Sequence, residues 1–248
     1  MFAIKRKLRH RLRVVISQSM LFPWCGFLEQ VRLADVFVHL DDVQFSKGGV
    51  VNRIQIKTEA GSKWMTVPLE GHKLGQAIDE VRVKPISDWR ERHLGFLRQN
   101  LSGTPHWKDC RNLVEEVYSD EEESLVCLVR KSLLALCRYF NLDKNTKFTD
   151  VSDLQIGGSG SDRVLNIVKA LGGDEYITGN GARNYLDHER FEDEGVRVSY
   201  MNYEMRPYPQ QHGTFTPYVS GLDLLSNCGQ AGQSCISSKA TYWKDFSI

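Results

Sequence analysis

The sequence predicts an α/β protein: a parallel or mixed sheet flanked by helices, with a β-hairpin element and a helical middle segment. Three observations predict it. The β-branched run Val14-Val15-Ile16-Ser17, a helical stretch across Gly26 to Ala34, and Asp35-Val36-Phe37-Val38-His39-Leu40 form a strand, helix and strand in about 30 residues, the βαβ unit of parallel sheets. Arg53 to Lys57 alternates, and Lys63 to Pro68 follows after Glu59-Ala60-Gly61-Ser62, as in a hairpin with a glycine-containing turn. From Ser87 to Leu142 the apolar spacing becomes helical.

Taken in order, residues 1–13 form a basic leader. Ile4 to Arg13 carries six formal positive charges and no acid, so it is either a solvated tail or an arm for phosphates or an anionic surface. Residues 14–248 are expected to form one α/β domain with a helical insertion at about 87–142. Ile78 to Val83 adds a further strand. In the insertion, Trp89, His93, Phe96, Leu97 and Leu101 recur at helical spacing, and Leu125 to Phe140 suits a buried helix. Asp120 to Glu123 suits that helix's positive end. Phe148 to Leu154 is a weak strand, and Ser161 to Leu171 a helix ended by Gly172-Gly173. Glu175 to Thr178 and Val196 to Tyr200 are strands, and a helix around Asp223 to Asn227 closes the domain.

The bulk values exclude several classes. A 248-residue chain that is 41% hydrophobic and 25% charged is expected to be globular, and a net charge of +1 gives no general reason to bind nucleic acid. No window approaches the roughly 18 apolar residues of a membrane span, and Val14-Val15-Ile16 is too short for a secretory signal. The six cysteines form no CxxC pair and no Cys/His cluster, so reduced thiols in a cytoplasmic protein are expected. Gly157 to Ser161 ends in no Gly-Lys-Ser/Thr, and Gly179-Asn180-Gly181-Ala182 meets Asn184 where a GxGxxG needs glycine. Neither supports ATP or NAD. GxSxG and HExxH are absent.

Polar chemistry concentrates in three clusters. Gln18, with Phe22-Pro23-Trp24, stands past the first strand, where open α/β sheets bind ligands. Asp41-Asp42-Val43-Gln44-Phe45-Ser46-Lys47 and Asn52-Arg53 follow the second strand. There one carboxylate can act as a general base while Lys47 or Arg53 holds an anion such as pyrophosphate; the competing reading is a surface ion-pair network. A metal between Asp41 and Asp42 would need further carboxylates, so none is assigned. Tyr208, Gln210, Asp223 and Asn227 form the third cluster; Ser220, Asp223 and Asn227 share a helix face that serves either capping or a site. His93, among aromatic neighbours, is a packing residue or a base. Cys25 reads as a buried spectator.

These clusters carry a family resemblance. Gln18-Ser19-Met20-Leu21-Phe22-Pro23-Trp24-Cys25-Gly26-Phe27, Asp41 to Lys47, Asn52-Arg53, Trp64 to Pro68, Trp89, His93, Pro105-His106-Trp107, Tyr176 to Gly179, Tyr185-Leu186, Tyr208-Pro209-Gln210 and Leu222 to Asn227 occur in order from about Val14 onward. The pattern resembles the WbqC-like family of bacterial surface-polysaccharide (O-antigen) gene clusters. The chain departs from it at Ser19, Met20 and Leu21, where the pattern has Pro, Asn and Tyr, and at Cys25, where it has Leu.

The resemblance implies an enzyme that transfers an acyl or aminoacyl group, such as glycyl, to the amine of a nucleotide-linked amino sugar. The donor would be a thioester on coenzyme A or an acyl carrier protein. Asp41, Asp42 or His93 would take the amine proton, and Lys47 and Arg53 would hold phosphates. Gln18, Asn52, Gln210 and Asn227 would bind sugar or acyl amide, with Trp24, Gln44, Tyr185, Tyr208 and Asp223 completing the substrate site. A non-catalytic module for a glycan precursor or a biosynthetic partner is the alternative, and an ATP-using ligase a weaker one.

Overall fold

The computed structural model describes residues 11–246. The charged segment through His10 lies outside the described residues. Arg13, assigned to the leader, is instead the first residue of strand β1 (Arg13–Ser17), where its guanidinium pairs with Asp35 at 2.8 Å.

Helix α1 (Cys25–Leu33) returns the chain to β2 (Val36–His39), and β1 and β2 pair in parallel with Val14 opposite Val36. β3 (Arg53–Thr58) and β4 (Gly61–Thr66) form the hairpin, joined through Gly61 at φ 91°, a conformation that glycine adopts without a Cβ clash. The expected strand over 78–83 is shorter. Ile78 and Asp79 donate their amides to the carbonyls of Val43 and Asp41, so 78–80 coils into one 3₁₀ turn. Only β6 (Arg82–Val83) remains extended, paired with β5 (Leu69–Glu70).

The helical middle segment comprises α2 (Arg90–Leu101), α3 (Trp107–Val117) and α4 (Leu125–Tyr139); Ser124 caps α4 by accepting from the Cys127 amide. β7 (Lys147–Asp150) stops earlier than expected because the Asp150 side chain accepts the Ser152 amide at 3.1 Å and turns the chain. α5 (Gly160–Ala170), β8 (Glu175–Thr178), α6 (His188–Asp193) and β9 (Arg197–Asn202) follow. α7 (Gly221–Cys228) does not close the domain, since β10 (Lys239–Tyr242) comes after it and pairs antiparallel with β9.

The sheet runs β10-β9-β8-β1-β2-β7 and is mixed, five strands being parallel. Alternation in β1 and β2 sends Val15 and Phe37 to one face and Val14, Ile16, Val36 and Val38 to the other. The first face packs against α1, α4 and α7, and the second against Val164, Leu165, Ile167 and Val168 of α5 and Phe191 of α6. Strand order therefore reverses between β1 and β8, and the carboxyl ends there mark the usual ligand rim of such a sheet. On the β10 side, the buried carboxylate of Glu29 accepts from the Ser238 amide (2.6 Å), the Ser238 hydroxyl (2.8 Å) and Arg32. It thereby ties the approach to β10 onto α1.

Candidate functional site

Beyond Gln18 the chain turns sharply through Leu21-Phe22-Pro23. Phe22 is fully buried at φ 29°, an uncommon backbone region for a bulky residue. Its amide donates to Ser132 Oγ (2.9 Å), and its carbonyl accepts from Ser220 Oγ (2.7 Å). Ser220 also caps α7, accepting the Leu222 amide at 3.2 Å. Gly221 permits this join, because a Cβ there would stand 2.8 Å from the Pro23 carbonyl oxygen. Trp24 folds over Gly26, where a Cβ would fall 2.2 Å from the indole.

These elements shape an aromatic pocket of about 230 Å³, lined by Met20, Phe22, Trp24, Val50, Arg53, Trp64 and Tyr218. Trp64 is 43% and Tyr218 59% exposed. Tyr218 also has positive φ, 64°. Two non-glycine residues in rare backbone conformations thus wall one pocket, a pattern found at ligand sites.

Arg53 lines a second pocket of about 460 Å³ as well, with Phe45, Lys47, Asn52 and His72. Its Nε donates to the Gly49 carbonyl at 2.8 Å and Nη2 to that of Gly48, while its Cζ lies 4.1 Å from the centroid of Trp64. Asn52 is held by donating to the Val67 carbonyl (2.9 Å). Four of the expected residues, Trp24, Lys47, Asn52 and Arg53, therefore surround two pockets that share a guanidinium.

The carboxylates lie elsewhere, at the sheet rim. Asp41 is 1% exposed and accepts from the Ser19 amide (2.8 Å), Ser19 Oγ (2.7 Å) and Arg130 Nε (2.8 Å). Because the Ser19 hydroxyl proton goes to Asp41, His39 Nδ1, 2.8 Å away, carries the proton donated to Ser19 Oγ. Arg130 also pairs with Asp150. Burial, and then Arg130, holds the His39 imidazole down at about 4. Asp42 is exposed and pairs with Arg163. Among the described residues no group of three His, Cys, Asp or Glu side chains is placed to hold a metal ion.

His93 occupies a packing position. It is 3% exposed, with Nδ1 3.2 Å from the Tyr118 hydroxyl, Nε2 3.1 Å from the Thr66 carbonyl and Trp89 against its ring, and burial lowers it to about 4. Both nitrogens are engaged inside the core, so the base role considered for His93 has no nitrogen facing a pocket.

Asp223, also 1% exposed, accepts from the Tyr208 hydroxyl and Gln210 Nε2, each at 2.9 Å, and its carbonyl accepts from Asn227 (2.8 Å). Burial pushes its carboxyl above the usual range. Lys57 Nζ joins this network by donating to Gln210 Oε1 and the Thr214 carbonyl. The assembly braces the segment carrying Tyr218. Tyr208 lines a narrow crevice that shares Trp24 and Tyr218 with the aromatic pocket. Gln18 and Gln44 are exposed, and Tyr185 stands 51% exposed just past β8. Cys25 is buried, which pushes its thiol up to about 12.

Sequence reasoning missed Trp64, Tyr218 and His72 as wall residues. Trp64 belongs to the second strand of the expected hairpin, exposed beside the buried Met65. No comparable signal marked Tyr218.

A model of the WbqC-like protein family matches residues 18–235. A Mycobacterium tuberculosis protein (strain ATCC 25618 / H37Rv), named "Uncharacterized protein Rv1507c", is 32% identical over 220 residues, covering 88% of this chain and 94% of its own. No solved structure matches the chain.

Proposed function

Because the chain belongs to the WbqC-like protein family, we propose that it serves bacterial surface-polysaccharide synthesis by transferring an acyl or aminoacyl group, such as glycyl, to the amine of a nucleotide-linked amino sugar. One observation carries this reading: Arg53 is shared by an aromatic pocket and a cationic pocket. A group transfer needs two substrates meeting at one point, and the chemistry of the pockets differs as a sugar or acyl group differs from phosphate. Trp24, Trp64 and Tyr218 offer apolar faces, whereas Lys47 and Arg53 offer positive charge.

In the proposed step the sugar amine attacks a thioester carbonyl carried by coenzyme A or a carrier protein. The C–N bond forms, the C–S bond breaks, and the amine proton leaves by way of a base to the departing thiolate. Asp42 is the base we assign. It keeps an exposed face beside Arg163, whereas Asp41 is enclosed by donors. The chain from Asp42 to Lys47 spans at most roughly 17 Å, so the sugar would extend from the phosphate pocket toward the rim.

The test is incubation of the purified protein with amino-sugar nucleotides and acyl or aminoacyl thioesters, with mass spectrometry of the sugar nucleotide. The expected product gains one acyl mass, and Asp42→Asn should not form it. Full activity of Asp42→Asn would sink the assignment. A second reading, a non-catalytic module for a glycan precursor, is favoured by the enclosure of Asp41 by Ser19 and Arg130 and of His93 by Tyr118 and Thr66. It predicts binding without turnover.

A further inference from the structure

Among the described residues no carboxylate pairs with Arg53 or Lys47, although both line one pocket. Arg53 commits Nε and Nη2 to the carbonyls of Gly49 and Gly48, which leaves Nη1 as the end available to a ligand. The same pocket is also lined by His72, whose Nε2 is buried with no hydrogen-bond partner among the described residues. Such a nitrogen is costly to leave unsatisfied.

Little holds His72 in that state. Its ring meets Phe45 edge-on at 4.9 Å, and it sits in the short loop from Gly71 (φ 60°) to Gly75 (φ 93°), whose Leu74 is 92% exposed. A half-turn about the ring's outer torsion exchanges nitrogen and carbon positions without displacing the imidazole. An anionic oxygen in the pocket would supply the partner that the ring lacks and the negative charge that the two cations lack.

We propose that the pocket formed by Lys47, Arg53 and His72 binds a diphosphate group, and that His72 supplies an N–H···O hydrogen bond beside the two cations. His72 is a binding residue here, outside every role assigned above. The inference deepens the transferase reading by adding a recognition group to its phosphate side, yet it rests on the pocket alone. The diphosphate can come from a sugar nucleotide or from coenzyme A, since both contain one.

Titration calorimetry of the full chain with inorganic pyrophosphate tests the site. His72→Phe keeps the aromatic contact with Phe45 and removes both nitrogens, so its affinity should fall about tenfold, the loss of one hydrogen bond to a charged group. His72→Gln, which restores a side-chain N–H, should recover part of that loss. Equal pyrophosphate affinity in the wild type and His72→Phe, or no binding by the wild type, overturns the proposal. Competition then names the source: displacement by uridine diphosphate supports the sugar nucleotide, displacement by coenzyme A supports the donor, and displacement by neither overturns the assignment. Pyrophosphate binding without any acylated product would retire the transferase reading and leave this site standing. Product formation together with His72-independent binding would do the reverse.

Discussion

The guanidinium of Arg53 lies flat enough against Trp64 to put Cζ 4.1 Å from the ring centroid while two of its nitrogens hold the backbone at Gly48 and Gly49. One side chain thus orients the loop after Lys47, an exposed indole and the boundary between two pockets. A planar, five-donor group suits this arrangement, and an ammonium does not.

Arg53→Lys should therefore weaken binding of an amino-sugar nucleotide about tenfold while keeping the charge, measured by calorimetry. Combining it with Trp64→Ala in a double-mutant cycle should show a coupling of about 0.5–1 kcal/mol, the worth of a partly exposed cation–π pair. Independent effects would mean that the stacking does not organise the site.

The adjacent carboxylates should part company. Asp41→Asn should destabilise the fold by about 3 kcal/mol, because it weakens a buried acceptor of Arg130 and Ser19. Asp42→Asn, an exposed partner of Arg163, should change stability by less than about 1 kcal/mol and yet abolish turnover. Urea denaturation and the mass-spectrometric assay together check the pair.

Acid should weaken the fold from an unusually high pH. His39 and His93 are lowered to about 4 by burial, against about 6.5 in an unfolded chain. As pH falls from 6.5 toward 4 the unfolded state binds protons that the folded state refuses, so stability present above pH 6.5 is lost across that window. Urea midpoints at pH 7, 6, 5 and 4.5 should fall progressively, and His93→Gln should flatten the slope. A constant midpoint down to pH 5 would contradict the burial argument.

Glu29→Ala should destabilise the protein by about 3 kcal/mol, since it leaves the Ser238 amide without its acceptor and Arg32 without its partner. Hydrogen exchange should rise first in β10. Pyrophosphate affinity should not change, because neither Glu29 nor its partners Arg32 and Ser238 line the pocket.

The parts of the fold carried by local pattern were legible. The β1-α1-β2 unit, the hairpin, α4 and β8 all fall within a residue or two of their expected positions. β10 was not legible: Lys239-Ala240-Thr241-Tyr242 is short and lies at the sheet edge, so it shows no buried run. At the site, Lys47, Asn52 and Arg53 were readable as a group because they are near one another in sequence. The enclosure of Asp41 was not, because its donors Ser19 and Arg130 come from distant segments. Nor was the fate of His93, since the same helical spacing serves a base or a packed ring.

The tie from Arg130 to Asp41 and Asp150 joins α4 to the ends of two neighbouring strands, and those strands enclose the whole hairpin and helical middle segment between them in sequence. β2 and β7 therefore cannot pair until that long stretch has been gathered in, a loop closure that native contacts reward only at its end. The Arg130 clasp is consequently a late event of folding. Cutting it should chiefly hasten unfolding and leave the rate of collapse nearly as it was.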